Sequence, residues 1–164
     1  MLTCFIARQI TPTAGSVHVK GGLTSLGSQS VHIGYCPQKD PLMGQLSPRQ
    51  QISLYGRLRK VPSQELQGAI QYIASLVGLE ENLDRPIYTL SGGNKRKVTL
   101  ALALIGNPSF LLLDEPNNGL DPGTKKLVRD TLDALKATRC VMLTTHDMYL
   151  AQRVCDVVGI MKDG

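Results

Sequence analysis

Phe110-Leu-Leu-Leu-Asp-Glu-Pro116 is an unbroken apolar run that stops on two adjacent carboxylates and a proline. A strand without polar alternation is covered on both faces, the situation of a parallel sheet flanked by helices. The sequence on either side agrees. Downstream, residues 124–137 carry Leu127, Val128, Thr131, Leu132 and Leu135 at helical spacing, and Cys140–Thr144 is a second apolar run read as a buried strand. Residues 147–154 read as a helix and 157–161 as a last strand. Strand, helix, strand, helix, strand implies crossover units and an α/β fold. Upstream, 94–105 is a helix apolar nearly all round past Lys97, hence deeply buried, and Gly106-Asn-Pro108 ends it.

The first half of the chain has another character. Residues 15–20 alternate apolar and polar like an antiparallel strand, 21–30 are Gly/Ser-rich, and 31–36 form a short strand stopped by Pro37. Ser47 is an N-cap with Pro48 at the first helical position and Gln50 closing a capping box. Ile52, Tyr55 and Leu58 continue that helix's apolar stripe as far as Val61-Pro62. A second helix carries Leu66, Ile70, Ile73, Leu76 and Val77 and ends at Gly78. Residues 47–90 hold no strand signal. The expected organisation is a first part of an α/β core over 1–41, a helical subdomain over 42–93, and a second part of the core over 94–164.

At 164 residues the chain can bury one core. A net charge of +5 is modest, and its Lys and Arg occur in short groups without interleaved aromatics, which argues against a nucleic-acid groove. Cys4, Cys36, Cys140 and Cys155 are far apart and sit in apolar runs, so they read as buried hydrophobes in a reducing compartment, not as a zinc site. No stretch approaches the ~20 apolar residues that span a bilayer, and no secretory signal is seen. Association with a membrane is therefore expected only through other sequence or a partner.

Asp114 and Glu115 end a buried strand, where parallel sheets collect ligands. One acid could hold Mg²⁺ and the next could orient or deprotonate an attacking water, although solvated acids at a strand-end turn would look the same. Ser91-Gly92-Gly93 opens a helix with two bare glycines, so phosphate oxygens can approach its amides; the bland alternative is a tight capped turn. Lys95 and Arg96 in its first turns oppose the helix dipole, a cost that an anion nearby would explain. His146 follows the next strand at the same sheet edge and could touch a terminal phosphate, or could be a structural histidine. Gln38, after Pro37, is either an ordinary turn residue or a metal- and water-contacting one. His18 and His32 read as strand-surface residues.

Six segments taken together, Tyr35-Cys-Pro-Gln-Lys-Asp40, Leu90-Ser-Gly-Gly-Asn-Lys-Arg-Lys97, Leu104-Ile-Gly-Asn-Pro108, Leu111-Leu-Leu-Asp-Glu-Pro116, Gly119-Leu-Asp-Pro122 and Thr144-Thr-His-Asp147, resemble the motifs of the ATP-binding-cassette (ABC) ATPases, in order and spacing, over nearly the whole chain. Gly34-Tyr-Cys-Pro-Gln38 with Ser91-Gly-Gly-Asn-Lys-Arg-Lys97 is most similar to the second nucleotide-binding domain of the A-subfamily, lipid-exporting transporters. The resemblance implies a P-loop NTPase fold with a mostly parallel sheet and an inserted helical subdomain. It implies Glu115 as catalytic base with His146 as switch histidine, Gln38 and Asp114 at Mg²⁺, and Asp121 as the D-loop acid. Ser91, Gly92 and Gly93 become the signature that touches ATP on a second nucleotide-binding domain in trans.

Two departures stand out. The family's Gly-x-x-x-x-Gly-Lys-Ser/Thr loop has no counterpart, because no Gly-Lys pair occurs, and Gly22 and Gly27, which have the right spacing, are followed by Ser28 and Gln29. Met1 to Ile6, with Thr11-Pro-Thr-Ala-Gly15, looks like the tail of the helix after that loop, so the N-terminal strand and P-loop unit are expected to be missing and this chain alone inactive. Asn117-Asn118 also replaces the Thr and Ser/Thr usual before the D-loop glycine. The expectation is a cassette ATPase, Mg²⁺-dependent, on the cytoplasmic side of a membrane through the transmembrane domains of a parent transporter. The alternatives are a soluble cassette ATPase and a non-catalytic pairing fragment.

Overall fold

The structure, a computed structural model, describes residues 32–162. The expected strand at 15–20, the loop at 21–30, His18 and Cys4 lie outside the described residues. The described sheet has three parallel strands, β1 (Ile33–Cys36), β2 (Phe110–Asp114) and β3 (Cys140–Thr144), in that spatial order. Ile33 pairs with Phe110 and Phe110 with Cys140, and the ladder ends with Asp114 opposite Thr144. Leu111, Leu112 and Leu113 are inaccessible, as an unbroken apolar run in a central strand must be. His32 is exposed just before β1.

Two strand expectations are corrected. Residues 157–161 form no strand, and Val157 and Ile160 are 88% and 87% exposed. A strand forms only where a neighbour completes its ladder, and no strand among the described residues pairs with this segment. β3 is only part-buried, with an exposed Cys140, because among the described residues it is paired on one side alone.

Local chemistry explains the helices. In α1 (Pro48–Leu58) the Ser47 hydroxyl accepts from the Gln50 N–H while Gln50 Oε1 accepts from the Ser47 N–H at 2.9 Å, the reciprocal box that the sequence predicts. Its buried face is Gln51, Ile52 and Gly56; Leu58, read as part of the stripe, is the last residue of the helix and 71% exposed. The Gln51 amide is inaccessible but satisfied, accepting from the Met43 N–H and donating to the Pro41 carbonyl. α2 (Ser63–Val77) buries Leu66, Ile70, Ile73 and Val77 and stops at Gly78, whose φ of 64° lets the Leu79 N–H return to the Ala74 carbonyl.

Two 3₁₀ turns, Glu80–Asn82 and Ile87–Thr89, lead into α3 (Gly92–Leu104). From Val98 onward every residue of α3 is buried, because it packs on β1 from one side and on α1 and α2 from the other. α4 (Pro122–Lys136) buries Val128, Thr131, Leu132 and Leu135, and the Thr131 hydroxyl donates to the Leu76 carbonyl of α2. α5 (Met148–Val154) is the last helix of the described residues.

The approach of α3 to β1 is set by Gly34: a Cβ there would overlap the Ala103 carbonyl oxygen and lie 2.7 Å from Leu111 Cδ2. Gly34→Ala is predicted to lower stability by about 3 kcal/mol or more in urea unfolding, since a backbone carbonyl cannot swing aside. Gly68→Ala, on the exposed face of α2 with nothing within 4 Å, should instead raise it by about 0.5–1 kcal/mol.

Candidate functional site

Because all three strands run parallel, the residues that follow them emerge at one edge of the sheet: Gln38 after β1, Glu115 after β2, His146 after β3. Asp114 closes β2, and the Thr144 hydroxyl donates to its Oδ1 at 2.6 Å. Glu115 has φ +48°, a left-handed backbone that side-chain-bearing residues rarely adopt and that gathers at functional sites. Neighbours hold it there. Its N–H donates to the Thr144 carbonyl at 3.0 Å, and its own carbonyl accepts from the Asn118 N–H at 3.1 Å.

The Glu115 side chain is 20% exposed, and its Oε2 lies 2.9 Å from His146 Nδ1; the His146 backbone N–H donates to the same oxygen at 3.4 Å. The imidazole beyond it is 74% exposed. The result is a sheltered carboxylate partnered with a ring that faces outward.

Arg96 differs from what its sequence position suggests. The cations in the first two turns of α3 read as calling for a bound anion, yet Arg96 is 5% exposed and all its acceptors belong to this chain. Nη1 donates to the Pro37 and Gln38 carbonyls and to Asp40 Oδ1, Nη2 to the Asp114 and Glu115 carbonyls, and Nε to the Pro116 carbonyl. The sequence held one signal of this: Arg96, Leu100 and Ala103 stand at i, i+4 and i+7, on the same buried face. Gln38 meets this centre through its carbonyl and is itself exposed.

The other predicted residues form a second group where α3 and α4 begin. Ser91 caps α3, its hydroxyl accepting from the Asn94 N–H. Ser91 and Gly92 are exposed, and a Cβ on Gly92 would meet nothing within 4 Å. A Cβ on Gly93 would stand 3.2 Å from Thr124 Oγ1 and 3.5 Å from Asp121 Oδ2, so Gly93 backs onto the start of α4. Asp121 caps α4: Oδ1 accepts from the Gly123 and Thr124 N–H groups and Oδ2 from the Thr124 hydroxyl at 2.7 Å. These bonds, the Thr124 hydroxyl foremost, hold its carboxyl below the ordinary range. The buried Asn117 hydrogen-bonds Asp147, the cap of α5, whose carboxyl is likewise lowered, chiefly by the Leu150 N–H.

No cluster of three or more His, Cys, Asp or Glu suited to a metal occurs among the described residues. Asp114 and Gln38 offer hard oxygen donors at one edge. That sparse set fits Mg²⁺, which keeps several waters and binds through one or two carboxylates plus substrate phosphates.

Residues 1–118 match the sequence family described as ABC transporter. Over 161 residues (97% of this chain, 10% of the relative) the sequence is 38% identical to ABC transporter A family member 4 of Dictyostelium discoideum. Over 157 residues (94% of this chain, 7% of the relative) it is 40% identical to the retinal-specific phospholipid-transporting ATPase ABCA4 of Mus musculus. It is 36% identical, over 97% of its length and 10% of the relative, to the ABC-type organic anion transporter ABCA8A of Mus musculus. The fold is thus that of the P-loop NTPases, and the chain belongs to the ABC transporter family. Within it the likeness is to the ATP-binding domain of A-subfamily transporters, and the chain spans about a tenth of the length of these relatives or less.

Cys36 supplies a check on this packing. It is fully buried at the end of β1, and burial pushes its thiol up from 9.0 to about 12 despite the opposing Arg96 charge. Since the unfolded thiol ionises near 9 and the folded one near 12, its contribution to stability is present below pH 9 and lost as pH rises towards 12. At pH 8.5 under native conditions a thiol reagent should label the exposed Cys140 readily and reach Cys36 only on unfolding.

Proposed function

We propose that this chain is the greater part of an ATP-hydrolysing cassette of an A-subfamily transporter, and that Glu115 is its general base. The observation that carries the reading is Glu115 itself: a carboxylate in a left-handed backbone at the carboxyl edge of a parallel sheet, beside an outward-facing imidazole. In the proposed reaction Glu115 takes the proton of the attacking water. A bond forms from that water's oxygen to the γ-phosphorus of ATP, and the bond from phosphorus to the β,γ-bridging oxygen breaks. A positioned base of this kind contributes about 10²–10⁴ in rate. His146 both orients Glu115 and faces the γ-phosphate. Asp114 and Gln38 would hold Mg²⁺, which when bound neutralises phosphate charge.

Ser91, Gly92 and Gly93 contact nucleotide on a second cassette, and Asp121 shapes the turn between them and that partner. The exposure of Ser91 and Gly92, with open space over Gly92, supports the outward role. The segments 1–41 and 94–164 serve as ATPase core and 42–93 as a helical subdomain facing the transmembrane domains of a longer protein, on the cytoplasmic side. No helix among the described residues is long and apolar enough to cross a membrane. One mouse relative is named for phospholipid and the other for organic anions; an anionic lipid satisfies both, and lipid is the proposed cargo class. The chain carries no Gly-x-x-x-x-Gly-Lys-Ser/Thr loop, so turnover needs that loop from the parent.

In a parent protein that includes the phosphate-binding loop, Glu115→Gln is expected to cut phosphate release by about 10² or more while ATP affinity, measured by calorimetry, stays within about twofold. Hydrolysis near the parental rate would remove Glu115 as base. Gly92→Asp should leave ATP affinity of the isolated cassette unchanged and abolish ATP-dependent pairing in sedimentation, because the new carboxylate would face the partner's γ-phosphate. An equal loss of both would put the signature in cis.

A further inference from the structure

Past Cys36 and Leu113, the last paired residues of β1 and β2, the Arg96 side chain bonds to both departing segments. We propose that Arg96 is a positioning residue that joins the signature helix to both loops of the hydrolytic edge, so that Gln38 and Glu115 stand where α3 puts them. The inference rests on the ATPase reading above for its kinetic consequence, though not for its geometry.

Three properties of the contact set carry it. First, the acceptors divide between the two loops: Pro37, Gln38 and Asp40 on one, Asp114, Glu115 and Pro116 on the other. An arginine serving only to fill space or balance charge would need Asp40 alone. Second, three successive carbonyls converge on one guanidinium at the residue whose backbone is left-handed, so the unusual conformation of Glu115 and the Arg96 bonds belong together. Third, the guanidinium is built into a rigid element. Arg96 lies five residues after Ser91, about 8 Å along α3, and α3 is clamped from Val98 on by β1, α1 and α2.

The planar fork of Arg is what the task requires. Its five N–H donors radiate in one plane and can reach two loops at once, whereas a lysine ammonium presents three donors from one point. The charge is compensated by Asp40 at 3.0 Å, a carboxylate whose side chain is 26% exposed. A displacement of Ser91–Gly93 by a partner would move Arg96 with the helix, and through it Gln38 and Glu115. The signature and the base are thereby linked through one side chain inside a single domain.

The test uses the parent protein with its phosphate-binding loop, and compares Arg96→Lys, Asp40→Asn and Glu115→Gln. Arg96→Lys should lower kcat by about tenfold or more while ATP affinity and ATP-dependent pairing change by less than about twofold, because the outward face of Ser91 and Gly92 is untouched. In Arg96→Ala, millimolar guanidinium should restore part of the lost rate, and urea at the same concentration should not. By hydrogen exchange, Arg96→Lys should speed the amides of 37–42 and 115–118 together, with α2 unchanged.

Two results would overturn the proposal: kcat of Arg96→Lys within about twofold of the parent while Glu115→Gln is inactive, or exchange rising uniformly over the whole fold. If Glu115→Gln itself still hydrolyses ATP, the reading of the active site fails, and the exchange pattern alone then decides whether Arg96 ties the loops. Should Arg96→Lys fail to fold, Asp40→Asn is decisive: a fall in kcat of about threefold or more supports the link, and an unchanged rate rejects it.

Discussion

A guanidinium taken out of water must find acceptors for all its donors, since a buried charge left unpaired costs several kcal/mol. Arg96 meets that requirement entirely with the chain's own groups: five peptide carbonyls and one carboxylate. The requirement works in both directions. The arginine can be buried only if the 37–40 and 114–116 segments bend their carbonyls towards it, and those segments keep their shapes only while the arginine is present. The sheet edge where Gln38, Asp114 and Glu115 stand is organised around that mutual condition.

Two backbone constraints make the arrangement possible. Gly34 lets the α3 backbone close onto β1, with the Ala103 carbonyl where any side chain would sit, and this brings the α3 face carrying Arg96 against the strand ends. Glu115 adopts a left-handed backbone although it is not glycine, a conformation that costs about 1 kcal/mol or more and persists where surroundings over-determine it. Here the Thr144 carbonyl, the Asn118 N–H and Arg96 do so. The strain lies on the residue proposed to move a proton, and His146 bonds to the same carboxylate.

The start of α4 shows how capping and function share atoms. Asp121 spends both carboxylate oxygens on Gly123 and Thr124, and Thr124 also lies beside Gly93. A motif residue assigned by resemblance to a nucleotide site is thus first a helix cap, one that fixes the turn next to the signature glycines. Asn117, standing where relatives of the family usually carry Thr, is likewise engaged with the cap of α5.

Periodicity and short-range chemistry were legible in the chain itself. The 110–113 apolar run, the Ser47–Gln50 box, the Gly78 stop and the Ser91 cap depend on neighbours within a few residues, and each stands as the sequence implies. Parallel topology then put Gln38, Glu115 and His146 at one edge, which strand order alone implies. What tertiary structure decided were long-range matters. Residues 157–161 have strand-like composition but no ladder partner among the described residues, and Leu58 continues an apolar stripe yet is exposed at the helix end. Arg96 looked like a phosphate-facing cation because local reading sees the helix dipole but not carbonyls eighteen to fifty-nine residues away. Caps and periods are local and written residue by residue; the partner of a buried charge is chosen only when distant segments meet.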